Sequence, residues 1–347
     1  MGQQLALGGP VTVKDSSDGH CQGVTWAVSG MQGWRESMED AHLIVPKLEG
    51  KGWNEWAAFG VMDGHGGEYV ARFCERHFAK QITKGSSGDV EGSLISAFHR
   101  LDEMLIEPAH GDELRRLSSK SWFATPDSMN CGCTALVCCV KQDVVVVANA
   151  GDCRAVLCRE GKAIDMSEDH KPNLPSERER ITRAGGVVEV IHFGPMTQYR
   201  VNGNLNLSRA IGDLSFKQTD LSPKEQMVCA TPDVRTFQLD PRDEFMVIAC
   251  DGVWDVMSSQ EVCDFLRPRL GRVSRTSFQV APSKLLESLL DRCVSPDLME
   301  TRGLGGDNMT IMLIVFDRGE LYAGNEHNSM SCDSCNDAQK PESCAVS

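Results

Sequence analysis

Four acidic residues lie next to the ends of apolar segments, where strands are expected to meet turns. Asp63 and Asp251 each close an apolar run and precede a glycine, Asp152 follows a third run, and Asp307 comes just before a fourth. Carboxylates that converge repel one another unless they are protonated or bridged by cations. Oxygen ligands favour Mg²⁺ or Mn²⁺ over zinc. This pattern alone is equally compatible with a metal site and with ordinary turns.

The segment FGVMDGHGGEY, residues 59–69, places an acid, a histidine and three glycines at one of these strand ends. Asp-Gly pairs are common in turns, but glycine also lets a ligand approach the backbone closely. His65 lies two residues after Asp63. Beside a bound phosphate it could donate a proton to a leaving alkoxide, and a surface or packing role is the alternative.

A second charged segment, RESMEDAH at 35–42, interrupts a strand-like stretch. The Arg35 guanidinium has the planar shape that matches phosphate, and a solvent-exposed charge is the alternative. Glu39 and Asp40 would point to opposite faces of a strand, so we expect only one of them to enter a site directly.

The hydrophobic pattern predicts the elements that must position these groups. It predicts helices at 68–82, 93–106 and 281–294, and capping signals at Ser176 and Ser258 predict two shorter ones. Apolar runs predict strands at 133–140, 144–150, 154–158, 244–250 and 309–316. The connectors between the first three strands are too short for crossover helices, so we expect antiparallel neighbours. The class is α+β, with antiparallel sheets covered by helices.

Composition limits the domain organisation and the partners. The chain has 347 residues with 41% hydrophobic content, which is ordinary for a globular protein. A net charge of -14 argues against nucleic-acid binding through a basic face. Residues 1–22 are polar and glycine-rich and are predicted to be flexible, and residues 318–347 are predicted to be a disordered tail.

The fifteen cysteines are not expected to form a disulfide framework. Their number is odd and many lie in apolar strands, which predicts buried thiols in a reducing compartment. The pairs at 131–133 and 332–335 each lack a matching second pair, so we do not predict zinc there. With no secretory signal or spanning run visible, we expect a cytoplasmic location, with the nucleus as an additional one.

Nine motifs in order along the chain resemble the metal-dependent protein serine/threonine phosphatases of type 2C. The resemblance spans residues 23–317, which it identifies as one phosphatase catalytic domain. The motifs are MQGWRESMEDAH (31–42), VMDGHGG (61–67), GCTALV (132–137), ANAGDCRAVL (148–157), EDHKP (168–172), ERITRAGG (179–186), RVNGNLNLSRAIGD (200–213), ACDGVWDVMS (249–258) and GGDNMTIMLI (305–314).

The resemblance implies a β-sandwich of two antiparallel sheets flanked by α-helices, with a metal site at one edge. It implies two Mg²⁺ or Mn²⁺ ions per subunit, both bound by Asp63. Asp251 and Asp307 would complete the protein ligands of the first ion. Glu39 and the carbonyl of Gly64 would hold the second.

Further roles follow from the same resemblance. Asp40 would contact a metal through water, and Asp152 would bind a weaker third ion, with Asp255 as a further candidate ligand there. Arg35 would bind the substrate phosphate directly, and His65 would be the general acid. The segments 192–200 and 214–226 depart from the usual pattern of the family, and we expect them to shape substrate choice.

The implied reaction is hydrolysis of phosphoserine and phosphothreonine in proteins by direct attack of a metal-bridging water. Phosphorylated proteins are then the partners, and we expect a monomer. The alternative is a catalytically silent relative that docks phosphoproteins or serves as a scaffold. The presence of every expected carboxylate favours the enzyme. A nucleic-acid hydrolase is opposed by the negative charge and the lack of a basic stripe.

Both chain ends carry candidate lipidation signals. Gly2 follows the initial methionine, as in N-myristoylation, but residue 6 is alanine where serine or threonine is usual. Cys344 begins the C-terminal CAVS, which matches a prenylation box, and the terminal serine favours farnesyl. The alternative for Cys344 is an accidental match. One lipid would anchor the chain to a membrane weakly, and two could hold it there.

Overall fold

Two antiparallel sheets of six strands each form the frame of the computed structural model, which describes residues 8–118, 129–193, 196–274 and 277–317. One sheet has the strand order β1-β2-β16-β13-β7-β8, and the other has the order β12-β6-β5-β4-β3, with β11 also pairing with β5. The strands are β1 Val11–Cys21, β2 Val24–Gly33, β3 Ala41–Val45, β4 Ala57–His65, β5 Gly132–Lys141, β6 Val144–Ala150, β7 Arg154–Arg159, β8 Lys162–Asp165, β9 Val188–Phe193, β10 Met196–Val201, β11 Ile211–Gly212, β12 Asp233–Gln238, β13 Asp243–Ala249, β14 Arg272–Ser274, β15 Ser277–Phe278 and β16 Met309–Phe316.

Seven α-helices lie among the described residues, joined by short 3-10 turns. The two longer helices predicted in the first third of the chain, and the one predicted at 281–294, are confirmed to within a few residues. The helices are α1 Tyr69–Ile82, α2 Val90–Met104, α3 Gly111–Leu117, α4 Pro175–Arg183, α5 Asp251–Trp254, α6 Ser259–Leu266 and α7 Pro282–Cys293.

The two sheets pack face to face around an apolar layer. Phe59 of β4 and Leu136 of β5 meet Met246 of β13 and Met312 of β16 in this layer. Because side chains alternate along a strand, the neighbouring residue Ala58 faces outward and packs with the helices α1 and α2. The central strands are therefore buried on both faces and read as continuous apolar runs. The predicted α+β sandwich of antiparallel sheets flanked by helices is confirmed.

One predicted strand pairing is wrong. β5 and β6 pair as antiparallel neighbours as expected, but β6 and β7 belong to different sheets. The connector between them, residues 151–153, therefore crosses from one sheet to the other. Gly151 has φ +126° there, and a Cβ at this position would lie 2.3 Å from Thr134 Cβ. A three-residue connector permits either a hairpin or a crossing, and the hydrophobic pattern does not distinguish them.

The prediction that residues 1–22 are flexible is wrong for Val11–Cys21, which form the edge strand β1. This strand pairs with β2 in an antiparallel ladder, and the backbone N–H of Ser283 in α7 donates a hydrogen bond to its Asp18 at 2.7 Å. A polar, charged sequence is one way in which proteins protect an edge strand from further pairing. Because this segment is polar, the hydrophobic pattern did not predict a strand there.

The two predicted capping signals have opposite outcomes. Ser258 caps α6 as predicted, and its hydroxyl accepts a hydrogen bond from the backbone N–H of Glu261 at 3.3 Å. Ser176 does not cap α4, because that helix begins one residue earlier at Pro175, with Leu174 in the cap position. Proline is favoured at the first helical position, since its fixed φ suits a helix.

The cysteines of the described residues are free thiols, and all except Cys21 are buried. This confirms, for that part of the chain, the prediction of buried thiols without a disulfide framework. No helix in the described ranges has the length and apolar character needed to cross a membrane. Gly2, Cys344 and the predicted tail 318–347 lie outside the described residues, so both lipidation signals and the tail stay predictions.

A buried ion-pair network fixes α4 against the segment that leads to β11. The carboxylate of Glu177, which is 1% exposed, accepts hydrogen bonds from Arg209 at 2.7 Å, Arg180 at 2.7 Å and Ser208 at 2.6 Å. Burial alone would raise the pKa of Glu177, but hydrogen bonding and charge from Arg209 and Arg180 lower this pKa to about 2. The ionised carboxylate therefore contributes to stability.

Replacing this carboxylate leaves two partly buried guanidinium groups without their main partner. We predict that Glu177→Gln lowers the free energy of unfolding by about 3 kcal/mol at pH 7, as measured by urea denaturation. The folded-state pKa lies below the unfolded value of about 4.3. The contribution is therefore full above that pH and is lost as the pH falls towards 2.

The neighbouring pair Glu179 and Arg183 provides the control, because its side chains are 70% and 68% exposed. Exposed pairs contribute little, so Glu179→Gln should leave the unfolding curve nearly unchanged. If Glu177→Gln and Glu179→Gln lost equal amounts of unfolding free energy at pH 7, a stabilising role for the buried network would be contradicted.

Candidate active site

The predicted acids converge at one end of the sandwich. Asp63 lies near the end of β4, Asp152 lies on the crossing between β6 and β7, and Asp251 begins α5 directly after β13. Oxygen atoms of these three carboxylates lie within 4.8 Å of one another. Asp307 joins them because β13 and β16 are antiparallel neighbours, so the end of one lies beside the start of the other. Both sheets therefore contribute to one cluster.

Two further acids lie beside this cluster, in the segment before β3. Asp40 is buried and forms a group with Asp63 and Cys250, whose ligand atoms lie within 4.8 Å of one another. Its Oδ2 accepts a hydrogen bond from Thr310 Oγ1 at 2.7 Å. Its Oδ1 is buried and has no hydrogen-bond partner in the described structure. An unpaired carboxylate oxygen at this position is suited to a water or a cation.

Glu39 turns toward the glycine-rich turn instead. Its Oε2 accepts a hydrogen bond from the backbone N–H of Gly67 at 3.0 Å, and its Oε1 accepts one from Ser37 Oγ at 2.9 Å. Its own backbone N–H donates to Asn308 Oδ1 at 2.9 Å. Glu39 and Asp40 thus face different partners, in line with their predicted opposite orientations.

Burial and mutual repulsion make the cluster electrostatically unfavourable on its own. Burial, and then the charge of Asp251, raises the pKa of Asp63 well above its usual value. Burial, followed by repulsion from Asp152 and Asp307, does the same to Asp251. Burial is also the largest cause that raises the pKa of Asp40 to about 7. Cations relieve such repulsion, and an all-oxygen donor set suits Mg²⁺ or Mn²⁺. The residues present therefore fit these ions.

Two basic side chains border the acids. Arg35 Nη2 donates a hydrogen bond to Asp307 Oδ2 at 2.5 Å, and its Nε is buried without a hydrogen-bond partner in the described structure. Lys171 Nζ donates to Asp152 Oδ2 at 2.6 Å. Arg35 therefore keeps a buried N–H that could serve an anion, whereas Lys171 already neutralises part of the charge on Asp152.

The three glycines of the segment DGHGG, residues 63–67, are each required for a structural reason. Gly66 has φ +74° and Gly67 has φ +141°, which are conformations that L side chains rarely adopt. A Cβ at Gly64 would lie 2.2 Å from the carbonyl oxygen of Glu39. Only glycine lets β4 end this close to the segment that carries Glu39 and Asp40.

His65 pairs with an acid whose role was not predicted. Its Nε2 lies 2.7 Å from Oδ2 of Asp213, which is 1% exposed. Burial alone would lower the pKa of His65, but the charge of Asp213 and the hydrogen bond to it raise this pKa. A Cβ at Gly132 would lie 2.3 Å from Asp213 Oδ2, so the pair depends on that glycine. The left-handed φ of +49° at Asp213 turns the chain after β11.

One cleft of about 400 Å³ gathers most of the predicted residues. Glu39 and Asp40 lie beside it without lining it. Arg200 of β10 and Arg302 line it as well, so the end of the segment 192–200, which is predicted to shape substrate choice, borders the cleft. The predicted residues that line the cleft are Arg35, Asp63, Gly64, His65, Asp152, Asp251, Asp255 and Asp307.

Comparison with known proteins agrees with this architecture. A family model described as "Protein phosphatase 2C" matches residues 25–301. The chain is 41% identical over 348 residues to "Probable protein phosphatase 2C 21" of Arabidopsis thaliana, covering 89% of this chain and 92% of that protein. It is 39% identical over 316 residues to "Protein phosphatase 2C 1" of Paramecium tetraurelia, covering 90% and 99%.

Solved structures share the fold. A crystal structure of a phosphatase from a pathogenic strain of Toxoplasma gondii superposes with a TM-score of 0.66 at 26% identity, covering 88% of this chain and 96% of that chain. A serine-threonine phosphatase 2C from Toxoplasma gondii superposes with a TM-score of 0.64 at 21% identity, covering 88% and 100%. These structures agree with the sandwich described above.

The electrostatic cost of the acid cluster can be measured on metal-free protein. We predict that Asp251→Asn raises the melting temperature in chelator by about 2–4 °C, because it removes one charge from the repelling group. The folded-state pKa of Asp251 is raised, so the penalty exists above the unfolded pKa and fades as the pH falls through the folded value. The gain should therefore shrink as the pH is lowered from 7 towards 4.

With Mg²⁺ added, the wild type should have a higher melting temperature than Asp251→Asn, which is the reverse of the order in chelator. Mg²⁺ should raise the melting temperature of the wild type more than that of Asp251→Asn, because the variant has lost a ligand charge. Asp264→Asn, a change on the exposed face of α6, is the control and should behave like the wild type. A variant that melts below the wild type in chelator would contradict the repulsion.

Proposed function

Because the chain belongs to the protein phosphatase 2C family, we propose that it hydrolyses phosphoserine and phosphothreonine in proteins at a binuclear Mg²⁺ or Mn²⁺ centre. The observation that carries this proposal is the acid cluster, which joins Asp63, Asp152 and Asp251 from both sheets in one cleft with the His65–Asp213 pair. The substrates are phosphorylated proteins. A monomeric state and a cytoplasmic location stay predictions.

The ligand assignment follows the placement of the acids. Asp63 is at the centre of the cluster and would bind both ions. Asp251 and Asp307, at adjacent strand ends, would hold one of them, and Glu39 with the carbonyl of Gly64 would hold the other. When bound, the ions would screen the phosphate charge and supply an activated water nucleophile.

A weaker third ion would be held by Asp152 and Asp255. The contact between Lys171 and Asp152 supports a weaker affinity there, because a cation must compete with an ion pair that already exists. Asp40 would act through water, and its unpaired buried Oδ1 supports this role.

Arg35 would orient the phosphate. Its Nη2 is held by Asp307, which fixes the guanidinium beside the acid cluster, where Arg35 lines the cleft. A planar guanidinium binds phosphate through paired hydrogen bonds. Arg35 would therefore set the direction from which the phosphorus is presented.

His65 would protonate the leaving serine or threonine oxygen. Asp213 would accept a hydrogen bond from the Nε2–H of His65, which fixes the ring and favours the imidazolium, so that the Nδ1 proton is the one available for transfer. A serine or threonine alkoxide is a poor leaving group, so a positioned acid contributes about 10²- to 10⁴-fold to the rate.

The proposal is tested by hydrolysis of a phosphothreonine peptide by the full-length protein in Mg²⁺, in Mn²⁺ and in chelator. We expect turnover with either metal and none in chelator. Asp63→Asn should lower the rate at least about 100-fold, since metal ions contribute several kcal/mol to such reactions. If the folded, metal-loaded wild type binds the peptide but does not cleave it, the chain is a docking relative instead.

The role of His65 is tested by changing the leaving group. We expect His65→Gln to lower peptide hydrolysis about 10²- to 10⁴-fold but to affect an aryl phosphate with an acidic phenol much less, because such a phenolate leaves without a proton. Asp213→Asn should show the same selective loss to a smaller extent. Equal losses on both substrates would exclude His65 as the general acid.

A further inference from the structure

A group of two histidines and one glutamate lies outside the catalytic cleft. Among the described residues, three sets of side chains place their ligand atoms within 4.8 Å of one another, and two of these sets belong to the acid cluster. The third set consists of His77 on α1, His110 at the end of a 3-10 turn, and Glu113 on α3. None of these three lines the cleft, and the proposed phosphatase reaction does not use them.

The geometry of this group is close to that of a metal site. His77 Nε2 lies 2.9 Å from Glu113 Oε2, and His110 Nδ1 lies 3.8 Å from the same oxygen. Ligand atoms in a tetrahedral zinc site are about 3.3 Å apart, given bonds of about 2.0–2.1 Å. The observed separations lie on either side of that value. The side chains are 20–22% exposed, so an ion from solvent can reach them.

The surroundings supply what histidine ligands require. If His110 binds through Nδ1, its other nitrogen faces a second carboxylate, since Nε2 lies 3.7 Å from Glu107 Oε2. Glu107 is itself held by Arg100, which donates to its two oxygens at 2.6 and 3.0 Å. A carboxylate behind a histidine fixes the ring and its tautomer in metal sites.

An aromatic ring forms the apolar side of the group. The Phe73 ring packs against His77 with centroids 4.4 Å apart and against His110 at 5.3 Å. The two imidazoles are 5.6 Å apart. Phe73 thus holds both rings in position, and an apolar shell limits the access of water to a bound ion.

We propose that His77, His110 and Glu113 bind one Zn²⁺ ion, with water as the fourth ligand. Two imidazole nitrogens and one carboxylate are a common ligand set for zinc, whereas Mg²⁺ prefers oxygen donors. The ion would connect α1 to the 3-10 turn and to α3. Without metal, His77 and His110 lie against the Glu113 carboxylate, and Arg76 also lies 3.7 Å from Glu113.

The test uses full-length protein stripped of metal, kept under a non-metal-binding reductant and saturated with Mg²⁺ to fill the catalytic carboxylates. Zn²⁺ is titrated in competition with a fluorescent chelator. The wild type should bind one more Zn²⁺ per chain than the double variant with His77→Gln and His110→Gln. Zinc bound to the cysteines contributes equally to both proteins, so the difference isolates this site.

Two further variants sharpen the test. His192→Gln, at an exposed histidine of the β9–β10 hairpin, is the matched control and should keep the wild-type stoichiometry. Glu107→Gln should keep the site but weaken its affinity about 10- to 100-fold, as for other residues behind a metal ligand. Zn²⁺ should also raise the melting temperature of the wild type more than that of the double variant.

Equal zinc stoichiometry in the wild type and the folded double variant would overturn the proposal, and the group would then have only a structural role. Folding is checked by circular dichroism and by a cooperative melting transition in Mg²⁺, which do not depend on phosphatase activity. If the double variant does not fold, His110→Gln alone serves the same comparison, because it removes one ligand from a short turn and leaves α1 intact.

Discussion

Repulsion among buried carboxylates is the constraint on which the rest of this structure depends. Asp63, Asp251 and Asp40 are held together by strands that cannot separate without exposing the apolar layer between the sheets. Folding therefore places the acids in a position that is unfavourable until cations bind. Pre-organised ligands of this kind cost stability in the free protein and give affinity for the ion in return.

The sandwich explains how one centre draws on residues far apart in the sequence. Antiparallel strands bring the end of β13 beside the start of β16, which unites Asp251 with Asp307. The crossing at Gly151 carries Asp152 from one sheet to the other at the same end. The central strands are buried on both faces and form a closely packed frame, and the hairpin that carries Arg200 contributes to the lining of the cleft.

Local sequence patterns predicted the parts of the structure that depend on residues close together in the sequence. The strand Met309–Phe316 and the glycine turn that follows β4 at Gly66 and Gly67 could be predicted directly, because apolar runs and glycines act over a few positions. The pair of His65 with Asp213 could not be predicted, because 148 residues separate its members. They meet because β4 and β11 both pair with β5 at Gly132. The strand Val11–Cys21 was hidden because an edge strand needs little apolar content.

The most direct test of this view is anomalous diffraction at the manganese absorption edge, from crystals of the full-length protein grown with Mn²⁺. We predict two strong peaks that share the Asp63 carboxylate, one beside Asp251 and Asp307 and the other beside Glu39 and the carbonyl of Gly64. Well-ordered carboxylates with no manganese between Asp63 and Asp251 would contradict the claim that cations resolve their repulsion.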